Sequence, residues 1–357
     1  MSVRRRVIGT AAGLAAAGAA AGAAAGVARQ HRVIARRGAG EATPFGSLRS
    51  APIKVVADDG VDLHVEIDEP GDFGGVPATD DSLTVVFVHG YSLNLDCWHF
   101  QRAAYRGQVR TVFYDQRSHG RSDRSAEENC TIEQIGKDLL RVIEHTAPGP
   151  CVLVGHSMGG MSIISLAQQH PELFGPKVVG AALISTTAGG LDPGRILFPM
   201  LPLGSLSGRA VYRLVRTLDI GHALVDRARA SGRAVADVVT DRFAFGDDVP
   251  REYVDFVYDM LNATPFAVVA DFFPAFATLD HFDHLAALGQ VPTSVIGGTA
   301  DRITSIGHSR KLHARIPGSR PLELEGAGHM AILERHEQVN AELDDLISLA
   351  QHRLESA

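Results

Sequence analysis

Pro150-Cys151-Val152-Leu153-Val154-Gly155-His156-Ser157-Met158-Gly159-Gly160 is the stretch on which the reading of this chain turns. Cys151 to Val154 is a β-branched apolar run that breaks off at Gly155. After Gly160 the pattern restarts at helical spacing, with Met161, Ile163, Ile164, Leu166 and Ala167 leading to a stop at Pro171. The order is strand, tight turn, helix, with Ser157 at the apex. Gly155 and Gly159 stand two residues before and two after it, which suits a turn where strand and helix crowd too closely for a Cβ. A serine held there presents its hydroxyl clear of the sheet, and the helix N-terminus behind it favours developing negative charge. An idle serine in a glycine-rich connection has the same local pattern, so the rest of the chain must decide.

Upstream, Ile53 to Val56 and Val61 to Ile67 alternate with period two around Asp58-Asp59-Gly60, which predicts a β-hairpin. Leu83 to Val88 is an unbroken apolar strand ending in His89-Gly90-Tyr91. The glycine lets the backbone turn so that the amide of Tyr91 can face a cavity, where it and the amide of Met158 would form a two-donor oxyanion hole. Trp98, the only tryptophan, reads as packing. Arg110 to Tyr114 predicts another strand, followed by Asp115-Gln116-Arg117-Ser118-His119-Gly120-Arg121-Ser122, read as turn residues with an Asp115/Arg117 pair pinning a loop. Thr131 and Gln134 form a capping box for a helix with an apolar face of Ile132, Ile135, Leu139, Val142 and Ile143. Strands alternating with helices predict an α/β layer fold with a mostly parallel sheet.

Val178 to Ile184 and Val291 to Ile296 are the next two strands, yet about 100 residues part them where 2 to 6 are usual. An inserted helical subdomain is expected there. Nine of the fifteen phenylalanines fall inside it, among them Phe198, and Phe272, Phe273 and Phe276 are the candidate apolar wall of a substrate pocket. Val291 to Ile296 runs into Gly297-Gly298-Thr299-Ala300-Asp301, and Pro321 to Leu324 into Glu325-Gly326-Ala327-Gly328-His329. Both place a polar residue just past a strand's carboxyl end, the edge where open α/β sheets bind ligands. An amphipathic helix with Val339, Leu343, Leu346, Ile347 and Ala350 on its apolar stripe closes the chain.

Ser157, Asp301 and His329 thus follow in the order serine, acid, histidine, each at a strand end, with His89-Gly90-Tyr91 upstream. This resembles the α/β-hydrolase fold superfamily, in its cap-bearing serine hydrolase branch, over about residues 50 to 350. The resemblance implies an eight-stranded mostly parallel sheet with helices on both faces and a helical cap above Ser157. It also implies Ser157 as nucleophile, His329 as base, Asp301 as acid and the amides of Tyr91 and Met158 as oxyanion donors. The Asp115 to Ser122 stretch resembles the family's Asp-x-Arg-Gly-x-Gly-x-Ser turn, but Ser118 stands at the first glycine, which puts the loop shape in question. The implied domain plan is a basic-flanked N-terminal segment (1–37), a linker (38–50), a core (51–187 and 291–357) and a cap (188–290).

The expected activity is cofactor-free hydrolysis of a small-molecule carboxylic or thio-ester with an apolar acyl part. Carbon–carbon bond hydrolysis or perhydrolase (haloperoxidase-like) chemistry on the same triad competes with it, as does a catalytically silent binding protein of this fold. A serine nucleophile argues against the related branches that use aspartate. No metal is expected: His281 and His284 flank Asp283, but no further ligand cluster accompanies them. Cys97, Cys130 and Cys151 have neither paired spacing nor an even count, so no disulfide framework is expected.

Net charge is −7, but residues 1–40 carry seven arginines and no acid, so the remainder carries −14. Such a body repels phosphate backbones, which argues against nucleic acid as partner. Between Arg6 and Arg29 lie 22 uncharged residues, 7–28, of which 12 are alanine and 5 glycine. Their length suits a bilayer-spanning helix and their glycine spacing helix pairing, although alanine and glycine are weakly apolar. A membrane anchor, an export signal and an Ala/Gly arm without an address all fit. Membrane association or export is the expected localisation, with the cytoplasm still open.

Overall fold

The computed structural model describes residues 22–38, 41–191 and 232–356. Most of the 7–28 segment and residues 192–231 of the expected insertion, Phe198 among them, lie outside the described residues. Eight strands, β1 (Pro52–Val56), β2 (Asp62–Asp68), β3 (Thr84–Val88), β4 (Arg110–Tyr114), β5 (Cys151–His156), β6 (Val178–Ile184), β7 (Thr293–Gly298) and β8 (Arg320–Leu324), form one sheet in the order 1-2-4-3-5-6-7-8. β1 and β2 form the expected hairpin, β2 runs antiparallel to β4, and all other neighbours are parallel. The sheet is thus mostly parallel, as the alternation of strands and helices predicts, and eight-stranded, as the family resemblance implies.

Alternation along the buried strands splits the core in two. Val85 and Phe87 of β3, with Val152 and Val154 of β5, face one side. There they meet Trp98, Phe100 and Tyr105, and Leu343 and Leu346 of the closing helix. Val86, Val88, Cys151 and Leu153 face the other side, against Leu139, Val142, Ile163 and Leu166. After α1 (22–34), the helices that supply these side chains include α2 (His99–Tyr105), α3 (Ile132–Thr146), α4 (Met158–Gln169) and the closing helix His336–Glu355. An irregularity where β5 meets β6 pairs Cys151 with Val178 but Val152 with Gly180.

Two strands, β5 and β7, depart most from the sequence reading. β5 continues through Gly155 and His156, which pair with Leu183 and Ile184, so the turn begins at Ser157 itself. β7 starts after Pro292, which has no N–H for the ladder, and runs on through Gly297 and Gly298, paired with Glu323 and Leu324. Only half of the expected capping box forms. The Thr131 hydroxyl accepts from the Gln134 amide at 3.1 Å, while the Gln134 side chain donates to Asp58 at 2.5 Å.

The expected Asp115/Arg117 pair is replaced by a different arrangement. Arg117, fully buried, donates to both oxygens of Asp138 at 2.6 Å and reaches Asp59 at 2.7 Å. Asp115 accepts the amides of Leu95 at 2.7 Å and Arg121 at 2.8 Å. A buried guanidinium has five donors to satisfy, and two carboxylates from separate elements serve it better than one neighbour along the chain. Ser118 holds φ 64, so a serine occupies the left-handed conformation for which the family pattern uses glycine.

Between β6 and β7 the described residues form α5 (Arg233–Ala244), α6 (Arg251–Ala263) and α7 (Phe266–Thr278). Val238, Val254 and Val257 from these helices join the core cluster that also holds Ile34, from a helix at 22–34. Among the described residues no single helix is long and apolar enough to cross a membrane. α6 and α7 together have that length and composition but bend by 89° at their junction.

Helix α4 lies so close to β3 that a Cβ at Gly159 would stand 2.0 Å from the Val88 carbonyl oxygen. Gly159→Ala is expected to cost about 3 kcal/mol or more, because neither backbone can retreat without opening the sheet. Gly307→Ala, where a Cβ meets nothing nearer than Ser305 Oγ at 3.8 Å, should leave stability equal or slightly higher. Urea unfolding of both variants checks the contrast.

Candidate active site

Ser157 takes φ 52 and ψ −117 at the step from β5 into α4, a conformation that costs energy in any residue with a Cβ. The turn is fastened on both sides. The Ser157 amide donates to the Ile184 carbonyl at 2.9 Å, and the Ser157 carbonyl accepts from the Thr186 hydroxyl at 2.6 Å. Gly155 could not carry a side chain here, since its Cβ would lie 2.6 Å from the Gly159 backbone. The two glycines therefore answer different crowding: Gly155 faces its own helix, Gly159 the neighbouring strand.

Asp301 follows β7 and His329 follows β8, and the fold brings both to Ser157. His329 Nε2 is 3.0 Å from Ser157 Oγ, and His329 Nδ1 is 2.9 Å from Asp301 Oδ2. Asp301 Oδ1 accepts the amides of Ile303 at 2.8 Å and Thr304 at 2.9 Å, and Oδ2 accepts the Thr304 hydroxyl at 2.8 Å. These donors orient the carboxylate. A carboxylate can only accept, so it places the imidazole proton on Nδ1 and leaves the Nε2 lone pair facing the serine. All three side chains are buried.

The turn after β3 lies against this group. A Cβ at Gly90 would be 2.8 Å from His156 Nδ1 and 3.1 Å from Ser157 Cβ. Tyr91 and Ser157 both line a cavity of about 730 Å³, and Met158 opens α4. The wall is largely apolar, and much of it comes from α5 to α7, including Val235, Val239, Phe243, Val257 and Phe276. Of the three phenylalanines expected there, only Phe276 lines the cavity. Phe272 packs with Met158 and Met161, and Phe273 with Phe266 and Val269. Phe272 and Phe276, one turn apart, share a helix face and one cluster, but only Phe276 reaches the cavity, while Phe272 is covered by Met158 and Met161.

The family model described as the alpha/beta hydrolase family matches residues 85–342. The chain belongs to the alpha/beta hydrolase family. The dihydrolipoyllysine-residue acetyltransferase component of the acetoin cleaving system of Pseudomonas putida is 26% identical over 281 residues, which are 77% of this chain and 64% of that protein. A thermophilic esterase from Thermogutta terrifontis superposes with TM-score 0.64 at 22% identity, covering 84% of this chain and 99% of the esterase. The enol-lactonase from Burkholderia xenovorans LB400 superposes with TM-score 0.63 at 24% identity, covering 83% and 100%.

Within this member of the alpha/beta hydrolase family, several groups around the serine had no signal in the sequence. Besides His329, three donors hold Asp301, and Thr304 supplies two of them. Gln116 links three elements: its amide donates to His89 Nε2 at 2.9 Å, its side chain donates to the His89 carbonyl at 2.6 Å, and it accepts from Ser162 Oγ at 2.9 Å. His156 Nε2 donates to the His329 carbonyl at 2.9 Å, so the residue before the serine steadies the residue opposite it. A lone Thr, Gln or His in a loop is too common for sequence alone to single out. Among the described residues no group of three or more His, Cys, Asp or Glu side chains is placed to hold a metal ion, and His281 instead lies 3.6 Å from Glu133.

Burial pushes His89 down to about 4, and burial followed by repulsion from a neighbouring imidazole pushes His119 and His156 down to about 3, all from an ordinary 6.5. In the native state these rings stay neutral where the unfolded chain would protonate them. Between pH 6.5 and about 3 the unfolded state therefore binds more protons, and stability falls as pH falls through that window. Urea midpoints should drop steadily from pH 7 to pH 4, and His119→Asn should flatten the dependence by about one proton.

Proposed function

We propose that this hydrolase cleaves carboxylic or thio-esters with an apolar acyl part through an acyl-Ser157 intermediate. The observation that carries the reading is the unbroken chain Ser157 Oγ, His329, Asp301, at 3.0 Å and 2.9 Å, set in the wall of a mainly apolar cavity.

A serine hydroxyl is a poor nucleophile at neutral pH, and His329 Nε2 is placed to take its proton as Oγ attacks the ester carbonyl. Asp301, held by the amides of Ile303 and Thr304, stabilises the imidazolium that results. The carbonyl oxygen acquires negative charge, which the amides of Tyr91 and Met158 and the N-terminus of α4 would meet. His329 then gives its proton to the departing alkoxide or thiolate, leaving the acyl group on Ser157. Water, activated by the same imidazole, attacks the acyl-enzyme, and the proton returns to Ser157 Oγ as the acid leaves. In this reading α5 to α7 act as the cap, and their apolar side chains accept the acyl chain.

Ser157→Ala should lower kcat/KM on p-nitrophenyl esters by 10³-fold or more, on the order seen when such a nucleophile is removed. A fluorophosphonate should label the folded wild-type protein at Ser157 and not the variant. Absence of serine-dependent labelling, or turnover of a dienedione with no turnover of any ester, would overturn the reading. We also propose that residues 7–28 associate with a membrane. The full chain should then sediment with the membrane fraction of expressing cells, and deletion of residues 1–28 should release it.

A further inference from the structure

Two hydroxyls on the cavity wall, carried by largely buried residues, make no hydrogen bond among the described residues. Ser92 is 6% exposed and Thr240 5%, and both line the cavity. Thr146 and Thr278, also in α-helices, turn their hydroxyls back to the carbonyl four residues earlier, Val142 at 2.6 Å and Pro274 at 3.2 Å. Thr240, inside α5, makes no such bond to Ala236. Its neighbours on that helix face, Ala236, Val239 and Phe243, are apolar and line the same space.

Ser92 is unusual in its backbone as well. The Leu93 amide donates to the Gly90 carbonyl at 3.2 Å, closing a four-residue turn in which Ser92 is third, with φ 57. That position favours glycine, because a Cβ there is strained. Glycine would relieve the strain and serine does not, so the hydroxyl is what the serine adds. This turn begins at the glycine that packs on Ser157 Cβ, which sets Ser92 on the nucleophile's side of the cavity. The Ser92 carbonyl accepts from Thr264 Oγ1 at 3.3 Å, while Ser92 Oγ has no hydrogen-bond partner among the described residues.

A purely aliphatic chain filling the cavity would strip solvent from both hydroxyls and leave them unsatisfied, at a cost of about tenfold or more in binding for each. A chain bearing an oxygen at the matching depth would restore the bond. Sites that offer a hydrogen bond of this kind discriminate far more strongly than apolar walls, which separate substrates by size alone. We infer that the preferred substrate is an ester whose largely apolar chain carries an oxygen function besides the scissile group, a hydroxyl or a keto oxygen. Thr240 binds that oxygen, and Ser92 binds an oxygen next to the scissile carbonyl. This rests on Ser157 being the nucleophile of an ester hydrolase.

The test uses the full chain and matched p-nitrophenyl esters, plain alkanoates against hydroxy- and oxo-alkanoates of equal length with the oxygen moved along the chain. Wild type should favour at least one oxygenated position by about tenfold in kcat/KM. Thr240→Val, which keeps the shape and removes the hydroxyl, should lower kcat/KM for that ester and raise it for the plain one. Ser92→Gly and Ser92→Ala should both reduce turnover of the preferred ester, although Ser92→Gly, freed of strain, should melt higher than wild type. Equal rates on plain and oxygenated esters at every position, or an unchanged preference in Thr240→Val, would overturn the inference. So would a Ser92→Gly variant that melts higher with wild-type selectivity and turnover. Fluorophosphonate labelling of Ser157 separates the two levels: intact labelling without an oxygen preference sinks this inference alone, whereas absent labelling sinks the hydrolase reading beneath it.

Discussion

The contact between Gly159 and the carbonyl of Val88 is the constraint from which the site follows. Helix α4 can start immediately after β5 only because position 159 presents no Cβ to the adjacent strand. With the helix drawn in that far, the linking residue must turn within a single step, and Ser157 does so at φ 52. The strain is met by hydrogen bonds at both its amide and its carbonyl, each to β6 or the residues just after it. A looser junction would let the serine relax to ordinary geometry, and its hydroxyl would swing away from His329. Close packing and a serine hydroxyl held toward His329 are in this sense one property.

Strain of this type is not confined to Ser157. The non-glycine residues with positive φ among those described are Ser92, Ser118, Ser157 and Ser185, each just beyond the carboxyl end of β3, β4, β5 or β6. Four parallel neighbours thus end in the same way, with a serine where the backbone would accept glycine more cheaply. Their hydroxyls have different surroundings: Ser118 accepts the Ser125 amide at 2.9 Å, Ser157 faces His329, Ser185 is buried without a partner among the described residues, and Ser92 borders the cavity. Strained backbone persists where its surroundings over-determine it, and such positions gather at functional sites. The alignment of all four along one sheet edge marks that edge independently of any motif.

How much of this the sequence carries depends on the range over which each feature is decided. The strands and α3 follow from local periodicity, and β4 and β6 match their expected limits because apolar runs end abruptly there. The serine, acid and histidine were legible because each lies at a strand end, where topology converts sequence order into proximity. The Asp115/Arg117 pairing was misread because Arg117 instead reaches Asp138 on α3 and Asp59 in the β-hairpin turn, 21 and 58 residues away in sequence. Phe272 and Phe273 were misassigned because composition shows that an insertion is aromatic but not which ring faces inward. Thr304 and Gln116 escaped for a related reason: their roles exist only once three separate strand ends have been brought together.

Helix α5 connects the cavity to the N-terminal end of the described chain. Its residues Ala236, Val239, Thr240 and Phe243 line the cavity, whereas Asp237 and Asp241, one turn apart, face the other way. Asp237 lies 3.1 Å from His31 Nε2, and Asp241 pairs with Arg37. Arg37 also meets Asp248, but that carboxylate is 79% exposed, so solvent and salt screen the contact. The Arg37 and Asp241 side chains are only 11% and 10% exposed, and Ile34 beside them is 2% exposed within the main core cluster. The buried pair and the buried isoleucine therefore dominate the attachment. Since α5 offers one face to residues 31–37 and another to the cavity, a shift of the N-terminal helix must move the cavity wall with it, or break a buried ion pair.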